Sequence, residues 1–192
     1  SQKEISNLTG IESFTALTHL QCEYNSLTTL DVSSNTSLTH FDCGGNQLTT
    51  LDVSNNTALF SFECYDNQLT SLDLSNNTAL KTLDCQNNQL TSLDVSNNIL
   101  LEYLICLLNE LTSLNVENNV ALLGLVAYQN QITSIDVSNN PLLENLNIWG
   151  NQFSSIDISL NPNLSWLDVN GMQLTSLDVS SNTALTGLSC GT

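Results

Sequence analysis

The chain almost lacks positive charge. Its 192 residues include 19 acidic side chains but only two lysines, Lys3 and Lys81, and no arginine, so the formal net charge is −17 at pH 7. Contacts to phosphate groups need clustered lysine or arginine side chains, and their absence argues against a nucleic-acid partner. The acidity also opposes binding to anionic membranes. No apolar run approaches the roughly 18 residues of a membrane-spanning helix, so we expect no membrane insertion.

The chain also lacks the short motifs of common enzymes. It has no Gly-x-Ser-x-Gly segment, no Gly-rich phosphate-binding loop and no His-Glu-x-x-His segment. Neither histidine has a hydroxyl nucleophile at a matched position, and carboxylates in solvated ladders do not separate their pKa values as acid–base catalysis requires. We therefore predict that the protein is not an enzyme.

A 21-residue unit, in contrast, recurs throughout the chain without insertion or deletion. The first leucine of each copy is Leu17, Leu38, Leu59, Leu80, Leu101, Leu122, Leu143, Leu164 and Leu185. A fixed period of this length predicts a solenoid in which each copy forms one coil. We expect an N-terminal cap over residues 1–16, including Ile5, Leu8, Ile11 and Phe14. The solenoid then spans residues 17–192 as eight full coils and a ninth that ends in mid-unit, like a truncated piece of something longer.

Each unit contains the same pattern twice. In one copy the two patterns are Leu80-x-x-Leu83-x-Cys85-x-x-Asn88 and Leu90-x-x-Leu93-x-Val95-x-x-Asn98. The alternation of period two predicts a strand-like arm with one buried face, and each asparagine suits a bend between arms. Stacked coils should place the asparagines in two ladders, Asn25 to Asn151 and Asn35 to Asn182. We expect two parallel sheets, with a local distortion or an interaction point at Met172, where the first ladder is interrupted.

This pattern resembles the leucine-rich-repeat family over residues 17–192. The nested second half is similar to the short bacterial subclass called IRREKO repeats, and residues 90–98 are similar to repeat arrays in secreted and surface proteins of Bacteroidetes. The resemblance implies a β-rich, right-handed solenoid with a parallel concave sheet, a second strand-like arm opposite it and few or no helices. It also implies an extracellular or cell-surface binding scaffold in which the first-arm sheet carries the ligand.

Six cysteines occupy one position of the unit. They are Cys22, Cys43, Cys64, Cys85, Cys106 and Cys190, and Ala127, Ile148 and Val169 take that position in the other coils. Exchange with apolar residues inside one molecule indicates a core position, where a reduced cysteine behaves as a small hydrophobe. Stacked disulfides and metal binding are the alternatives, and we prefer the reduced core thiols.

The outward positions of the second arm are nearly the same in every coil. One column carries carboxylates at Asp31, Asp52, Asp73, Asp94, Asp136, Asp157 and Asp178, with serine or threonine columns on both sides. Stacked carboxylates repel each other by roughly 1 kcal/mol per neighbour in water-like surroundings, so another interaction must offset this. Hydrogen bonds from hydroxyl or bend N–H groups are the preferred explanation. Calcium, which favours all-oxygen ligands, is the alternative.

The outward positions of the first arm differ from coil to coil. Its apolar members form a strip that we predict to bind a partner: Tyr65, Tyr103, Ile105, Leu107, Leu108, Val126, Tyr128, Trp149 and Trp166. Even half-exposed, four large rings would form a patch of roughly 300–500 Å², the upper end of what a monomer exposes. The aliphatic centre favours a protein ligand over a polysaccharide. A homodimer contact or a covering domain would also explain the strip.

The two histidines form a second candidate site. His19 and His40 lie on adjacent first arms, with Asp42 and Glu23 nearby in the sequence, and such a group could hold zinc or nickel. Exposed neighbouring histidines also bind these metals adventitiously, so we do not assign the group a physiological metal.

Overall fold

The computed structural model describes residues 4–191, which form a solenoid with one short strand in each coil. The strands are β1 His19–Gln21, β2 His40–Asp42, β3 Ser61–Glu63, β4 Thr82–Asp84, β5 Tyr103–Ile105, β6 Gly124–Val126, β7 Asn145–Asn147, β8 Trp166–Asp168 and β9 Gly187–Ser189. They pair in chain order as one parallel sheet, and each residue faces the residue 21 positions later. The prediction of a β-rich solenoid with a parallel sheet is confirmed.

The core lies directly behind the sheet. The central residue of each strand points inward and is buried from β1 to β8, as is the cysteine, alanine, isoleucine or valine two positions later. Phe41 and Phe62 stack with ring centroids 5.4 Å apart. Because identical positions pack on each other in every coil, one apolar column is continuous along the molecule.

The second arm does not form the second sheet that we expected. Within residues 4–191 its coils are joined by one backbone hydrogen bond each, such as Gln47 N to Leu27 O at 2.9 Å. Its other backbone groups form turns inside the coil: Asn56 N donates to Val53 O at 2.9 Å, and Ser54 N donates to Asp52 Oδ1 at 2.9 Å. These local bonds use the groups that a ladder would need, so the arm is extended without being a strand.

The first asparagine ladder uses both ends of each amide. In one coil, Asn88 Oδ1 accepts from Leu69 N at 2.9 Å, while its Nδ2 donates to Cys64 O at 3.0 Å and to Cys85 O at 3.1 Å. Each residue therefore ties its own bend to the preceding coil. These side chains satisfy backbone groups that would otherwise be buried without partners.

The second asparagine ladder uses only the donor end. Asn98 Nδ2 donates to Leu74 O at 3.2 Å and to Asn77 O at 3.0 Å. The Oδ1 atoms of this ladder are buried without a hydrogen-bond partner, in Asn35, Asn56, Asn77, Asn98, Asn119, Asn140, Asn161 and Asn182. The two ladders, which look alike in the sequence, are therefore chemically different.

Met172 interrupts the first ladder without breaking the coil. The backbone bond from Gln173 N to Phe153 O remains at 3.0 Å, and the Met172 side chain packs against the core. The missing amide removes the side-chain acceptor that Phe153 N would have, by analogy with Ile132 N and Asn151 Oδ1 at 3.0 Å. The expected distortion is thus confined to side-chain bonding.

The segment before the first coil makes some of the hydrogen bonds that a second arm makes in other coils. Ile5 N donates to Asn25 Oδ1 at 3.1 Å, and Ile5, Leu8 and Ile11 pack against the core. A 3₁₀ helix covers Ile11–Ser13, and Ile11 O and Phe14 O accept from Asn35 Nδ2. The Phe14 side chain is exposed, and the residue stands where other coils carry a bend asparagine. In residues 4–191, no helix is long and apolar enough to cross a membrane.

Candidate functional site

Three columns of side chains cover the outer face of the sheet. They come from the first and third residues of each strand and from the position two residues after the strand. The parallel register stacks each column, so that Asp84 pairs with Ile105 and Ile105 pairs with Val126. The scaffold fixes the spacing of this strand face, while its composition changes from coil to coil.

Most of the predicted strip lies together on coils five to eight. Tyr128 and Trp149 stack with ring centroids 5.0 Å apart and an angle of 17° between their planes. Tyr103 and Trp166 are each 45% exposed. Ile105 and Val126 are half-buried between them. Tyr128 and Trp149 thus form a stacked pair, and Ile105 and Val126 are register partners on β5 and β6. Trp166 lies on β8, beyond Asn145 and Asn147 of β7.

Two of the exposed rings lie against a neighbouring glycine. The Trp166 ring covers Gly187, where an added Cβ would overlap the ring, and Tyr103 brings the Cδ1–Cε1 edge of its ring to 3.0–3.4 Å from where a Cβ of Gly124 would be. Glycine permits this approach because it has no side chain, and the ring in turn shields the glycine backbone. One ring face is therefore held against the sheet, and the other remains available to a partner.

Tyr65 lies apart from the rest of the predicted strip. It belongs to coil three, two coils before Tyr103, its ring lies over Gly44 on coil two, and its centroid is 5.9 Å from that of Tyr24. Tyr24, which the sequence reasoning missed, covers Gly45. The sequence does contain a signal for all four rings, because each has a glycine at the same position of an adjacent copy.

The two adjacent leucines of the strip have opposite environments. Leu107 is only 5% exposed, so it supports the surface from below and does not offer a free side chain. Leu108 is 41% exposed and has φ 53°, in the left-handed region. A bulky residue is disfavoured there. Other coils place glycine, asparagine, aspartate, glutamine or tyrosine at this turn, so the scaffold gives no reason for an exposed leucine.

The strand face of the first four coils is acidic. Burial is the main cause that raises the pKa of Asp42 to about 6, with repulsion from Glu63 and Glu23 adding to it. Burial, followed by repulsion from Asp84, also raises the pKa of Glu63. The N–H of Gly44, 2.9 Å from Asp42 Oδ1, lowers the pKa of Asp42 but does not cancel the effect of burial. These carboxylates, with His19 and His40, line a groove of about 150 Å³.

The aspartates of the second arm behave in the opposite way. Asp52 Oδ1 accepts from Ser54 N at 2.9 Å, and bonds from the Ser54 hydroxyl and N–H lower the pKa of Asp52. The same bonds lower the pKa of Asp31, Asp73, Asp94, Asp136, Asp157 and Asp178. The hydroxyl and N–H bonds predicted for this column are therefore present. A hollow of about 570 Å³ lies between Asp31, Asp52 and Asp73.

The two histidines lie side by side on β1 and β2. His19 and His40 stack with ring centroids 4.4 Å apart and nearly parallel planes. The Nδ1 atoms lie 3.0 Å from the hydroxyls of Thr18 and Thr39, respectively. Parallel rings do not converge on a common ion. Among residues 4–191, no three His, Cys, Asp or Glu side chains are placed to hold a metal, including the predicted set of His19, His40, Asp42 and Glu23.

Five of the six cysteines are buried in the core column, as predicted. Burial raises the pKa of Cys22 and of Cys106 to about 12, and it also raises the pKa of Cys43, Cys64 and Cys85, so these groups stay protonated. A protonated, buried thiol is a poor nucleophile and a poor metal ligand. Cys190, at the same position of coil nine, is exposed.

A second apolar surface, which the sequence reasoning also missed, lies on the bend before the strands of coils five to seven. Its exposed members are Ile99, Leu100, Val120 and Leu142. The corresponding positions in the first three copies and in the eighth carry Thr-Ser or Thr-Ala pairs, at Thr36-Ser37, Thr57-Ala58, Thr78-Ala79 and Thr183-Ala184. The same comparison of copies that identified the strip could have found this bend-edge patch.

Solved structures of bacterial leucine-rich-repeat proteins resemble this chain. The functional domain of InlJ from Listeria monocytogenes, which includes a cysteine ladder, has a TM-score of 0.80 and 37% identity over 98% of this chain and 47% of that one. The internalin InlF of the same species has a TM-score of 0.94 and 27% identity, over 98% of this chain and 60% of that one. The leucine-rich effector protein YopM from Yersinia pestis has a TM-score of 0.81 and 25% identity, over 91% of this chain and 49% of that one.

The chain is therefore a leucine-rich-repeat protein by fold. It spans between about half and three fifths of the length of these three structures. No protein-family model matches the chain, and no curated protein matches it.

Proposed function

We propose that the chain is a non-enzymatic binding module of a secreted or cell-surface bacterial protein and that it recognises a protein partner. The contact surface is the aromatic and aliphatic surface on coils five to eight, hereafter the strip: Tyr103, Ile105, Leu107, Leu108, Val126, Tyr128, Trp149 and Trp166. The internalins and YopM, with the same fold, support a binding role. The nested 21-residue unit supports placement in the IRREKO subclass and a relation to Bacteroidetes surface arrays.

The observation that carries the proposal is the set of exposed rings held rigidly by the sheet. Tyr103 and Trp166 are nearly half exposed, and each is fixed against a glycine. Rings that are already ordered lose little conformational entropy on binding, which favours affinity. Tyrosine and tryptophan are also the residues that dominate binding energy at protein interfaces.

The unfavourable free energy of Leu108 at its exposed, left-handed position also supports a binding role for the strip. An exposed leucine in the left-handed region loses backbone energy and leaves apolar surface in water. Both costs are avoidable, because the preceding coil has Asn87 at this position. A contact with a partner would recover the apolar surface and explains why leucine is present.

A double substitution tests the proposal. The chain and its Tyr128→Ala/Trp149→Ala variant are screened against an array of surface proteins and glycans. We expect the variant to lose at least about 2 kcal/mol of binding free energy, as for hot-spot residues. Its stability should fall by less than the 3–5 kcal/mol typical of a buried aromatic residue, because both rings are partly exposed.

The matched control is Ile99→Thr/Val120→Thr on the bend-edge patch. It removes two exposed apolar side chains in favour of the residue that other coils use. If only this control loses binding, the bend-edge patch and not the strip is the contact surface. If the chain captures glycans alone, the partner is a polysaccharide and not a protein. Light scattering that shows a dimer, abolished by the strip variant, would favour self-association as the function of the strip.

A further inference from the structure

The strand face changes from acidic to apolar at one strand boundary. Along the column of third strand residues, Asp42, Glu63 and Asp84 on β2–β4 are followed by Ile105 and Val126 on β5 and β6. Asp84 and Ile105 are register partners, so the boundary is one strand spacing wide, about 4.8 Å. The same column continues with Asn147 and Asp168 on β7 and β8, so its apolar stretch is limited to β5 and β6. Of the flanking columns, the third adds Glu23 on coil one to the acidic side and Leu107 on coil five to the apolar side.

Within residues 4–191, no lysine or arginine pairs with the carboxylates of the acidic half. Lys81 is the one lysine among residues 4–191, and its Nζ is already paired with Glu102 at 2.7 Å. The local partners of these carboxylates are neutral groups: Gly44 N for Asp42, the Gln86 N–H and amide for Asp84, and Ser61 Oγ, 3.5 Å from Oε1, for Glu63. A positive group from outside would find partly buried carboxylates, where an ion pair is stronger than on an open surface.

The aromatic half also accepts positive charge. The free faces of Tyr103 and Trp166 present the negative side of the ring quadrupole, which attracts lysine and arginine. The two halves therefore favour the same kind of partner. Aliphatic and aromatic partner side chains fit Ile105, Val126 and the Tyr128–Trp149 stack, while a basic group fits either the carboxylates or a ring face.

We propose that the partner contacts the strand face with a segment of two parts, a lysine- or arginine-rich part over coils two to four and an apolar part over coils five to seven, which ends before Asp168 on β8. The proposal rests on the binding function assigned to the strip and adds the chemistry and direction of the ligand. Charge complementarity fixes the direction, because an apolar part placed over Asp42, Glu63 and Asp84 would bury unpaired carboxylates. The occupant is thus a basic–apolar protein segment that runs across the strands.

The opposite pKa directions of the two acidic columns support this assignment. The second-arm aspartates gain local bonds that lower their pKa, so they need no outside partner. On the strand face, burial and mutual repulsion raise the pKa of Asp42, Glu63 and Asp84. A bound cation would relieve the repulsion among Asp42, Glu63 and Asp84. It would add little to the second-arm aspartates.

Labelled peptides of about 14 residues are a suitable probe, since an extended chain of that length spans about 45 Å. One peptide has a block of lysine and arginine followed by a block of leucine and phenylalanine. A second has the same composition in alternating order. We expect the block peptide to bind at least about tenfold more tightly than the alternating one, which is 1.4 kcal/mol. Its affinity should fall as salt is raised.

Two charge-matched variants locate the basic part. Asp42→Asn/Glu63→Gln/Asp84→Asn should weaken the block peptide about tenfold or more and flatten its salt dependence. Asp31→Asn/Asp52→Asn/Asp73→Asn removes the same charge from the second arm and should change the affinity less than about twofold. Asparagine is tolerated there, because Asn115 Oδ1 already accepts from Glu117 N at 2.9 Å.

Three results would overturn the inference: equal affinity of the two peptides, equal effects of the two charge variants, or no binding of either peptide. The partner found in the array experiment then separates this failure from that of the binding function. If the Tyr128→Ala/Trp149→Ala variant loses that partner but the strand-face charge variant does not, the strip binds a partner that is not basic. If neither variant loses it, the strip is not the binding surface.

Discussion

At the residue scale, identical side chains have different roles according to the bonds that their position allows. Asp52 and Asp42 both accept an N–H bond from the residue two positions later, at 2.9 Å. Asp52 is fully in solvent and gains a serine hydroxyl, so its pKa is lowered. Asp42 is half-buried beside other carboxylates, and its pKa is raised. The difference separates a scaffold column from a surface that still lacks a counter-charge.

Asp42 therefore provides a prediction about stability and pH. Its pKa rises from the usual 3.8 to about 6 on folding, so the folded chain binds more protons than the unfolded chain between these values. Stability from this group is complete below pH 3.8 and is lost as the pH rises through 6. Asp42→Asn should raise the free energy of unfolding at pH 7.5 by about 1 kcal/mol, after discounting for solvent screening.

Urea unfolding at several pH values checks this, and the gain should vanish near pH 4. Asp94→Asn is the control, because bonds from Ser96 lower the pKa of Asp94 and its stabilisation is lost as the pH falls instead. A gain from Asp94→Asn at pH 7.5, or none from Asp42→Asn, would contradict the explanation.

At the element scale, the bends decide how coils are held together. Strands of three residues supply few ladder bonds, and the second arm supplies one backbone bond per coil. The asparagine side chains add bonds between coils at both bends. In the first ladder they satisfy an N–H group and carbonyl groups, whereas in the second they satisfy carbonyl groups only.

Asn88→Ala and Asn98→Ala should consequently differ in their effects on stability. Asn88→Ala leaves Leu69 N unpaired and removes one of the two donors to Cys64 O and to Cys85 O, so it should cost about 3 kcal/mol. Asn98→Ala leaves no N–H unpaired, because Leu74 O and Asn77 O keep their backbone donors, and it removes an Oδ1 that is itself buried without a partner, so it should cost about 1–2 kcal/mol. Chemical denaturation of both variants measures the difference. An equal or larger loss for Asn98→Ala would mean that its Oδ1 has a partner in solution.

At the scale of the whole molecule, stability comes from stacking one coil on another. A residue at a fixed position of the unit has neighbouring coils on both sides in the middle of the solenoid and on one side at its end. Leu104 in β5 is fully buried, while Leu188 in β9, at the same position of the unit, is 46% exposed. The position of the coil along the solenoid, and not its local sequence, determines how much stability is lost when either side chain is removed.

Leu104→Ala should therefore destabilise the chain by about 2–5 kcal/mol, as expected for a buried leucine. Leu188→Ala should cost less than about 1 kcal/mol, because much of its surface is already in water. Hydrogen exchange and urea unfolding of the two variants measure this. Similar losses at the two sites would show that the end coil is as tightly packed as the centre.

The sequence by itself determined the repeating unit, the inward positions and the cysteine column. These follow because a 21-residue period forces equal positions to stack, and positions that exchange leucine, cysteine and valine within one molecule must be apolar. The same comparison of copies located most of the strip. It could equally have found Tyr24 and the bend-edge patch, since both depart from what other copies carry.

Only the tertiary structure decided what depends on side-chain direction and on competition for backbone groups. It placed Leu107 under the surface and Leu108 on it, and it separated Tyr65 from the strip because its ring leans towards Gly44 on the preceding coil. It gave the second arm turns instead of a sheet, because the aspartate and asparagine side chains and the turns occupy the groups that a ladder needs. A linear pattern fixes which residues align, but packing fixes which atoms meet.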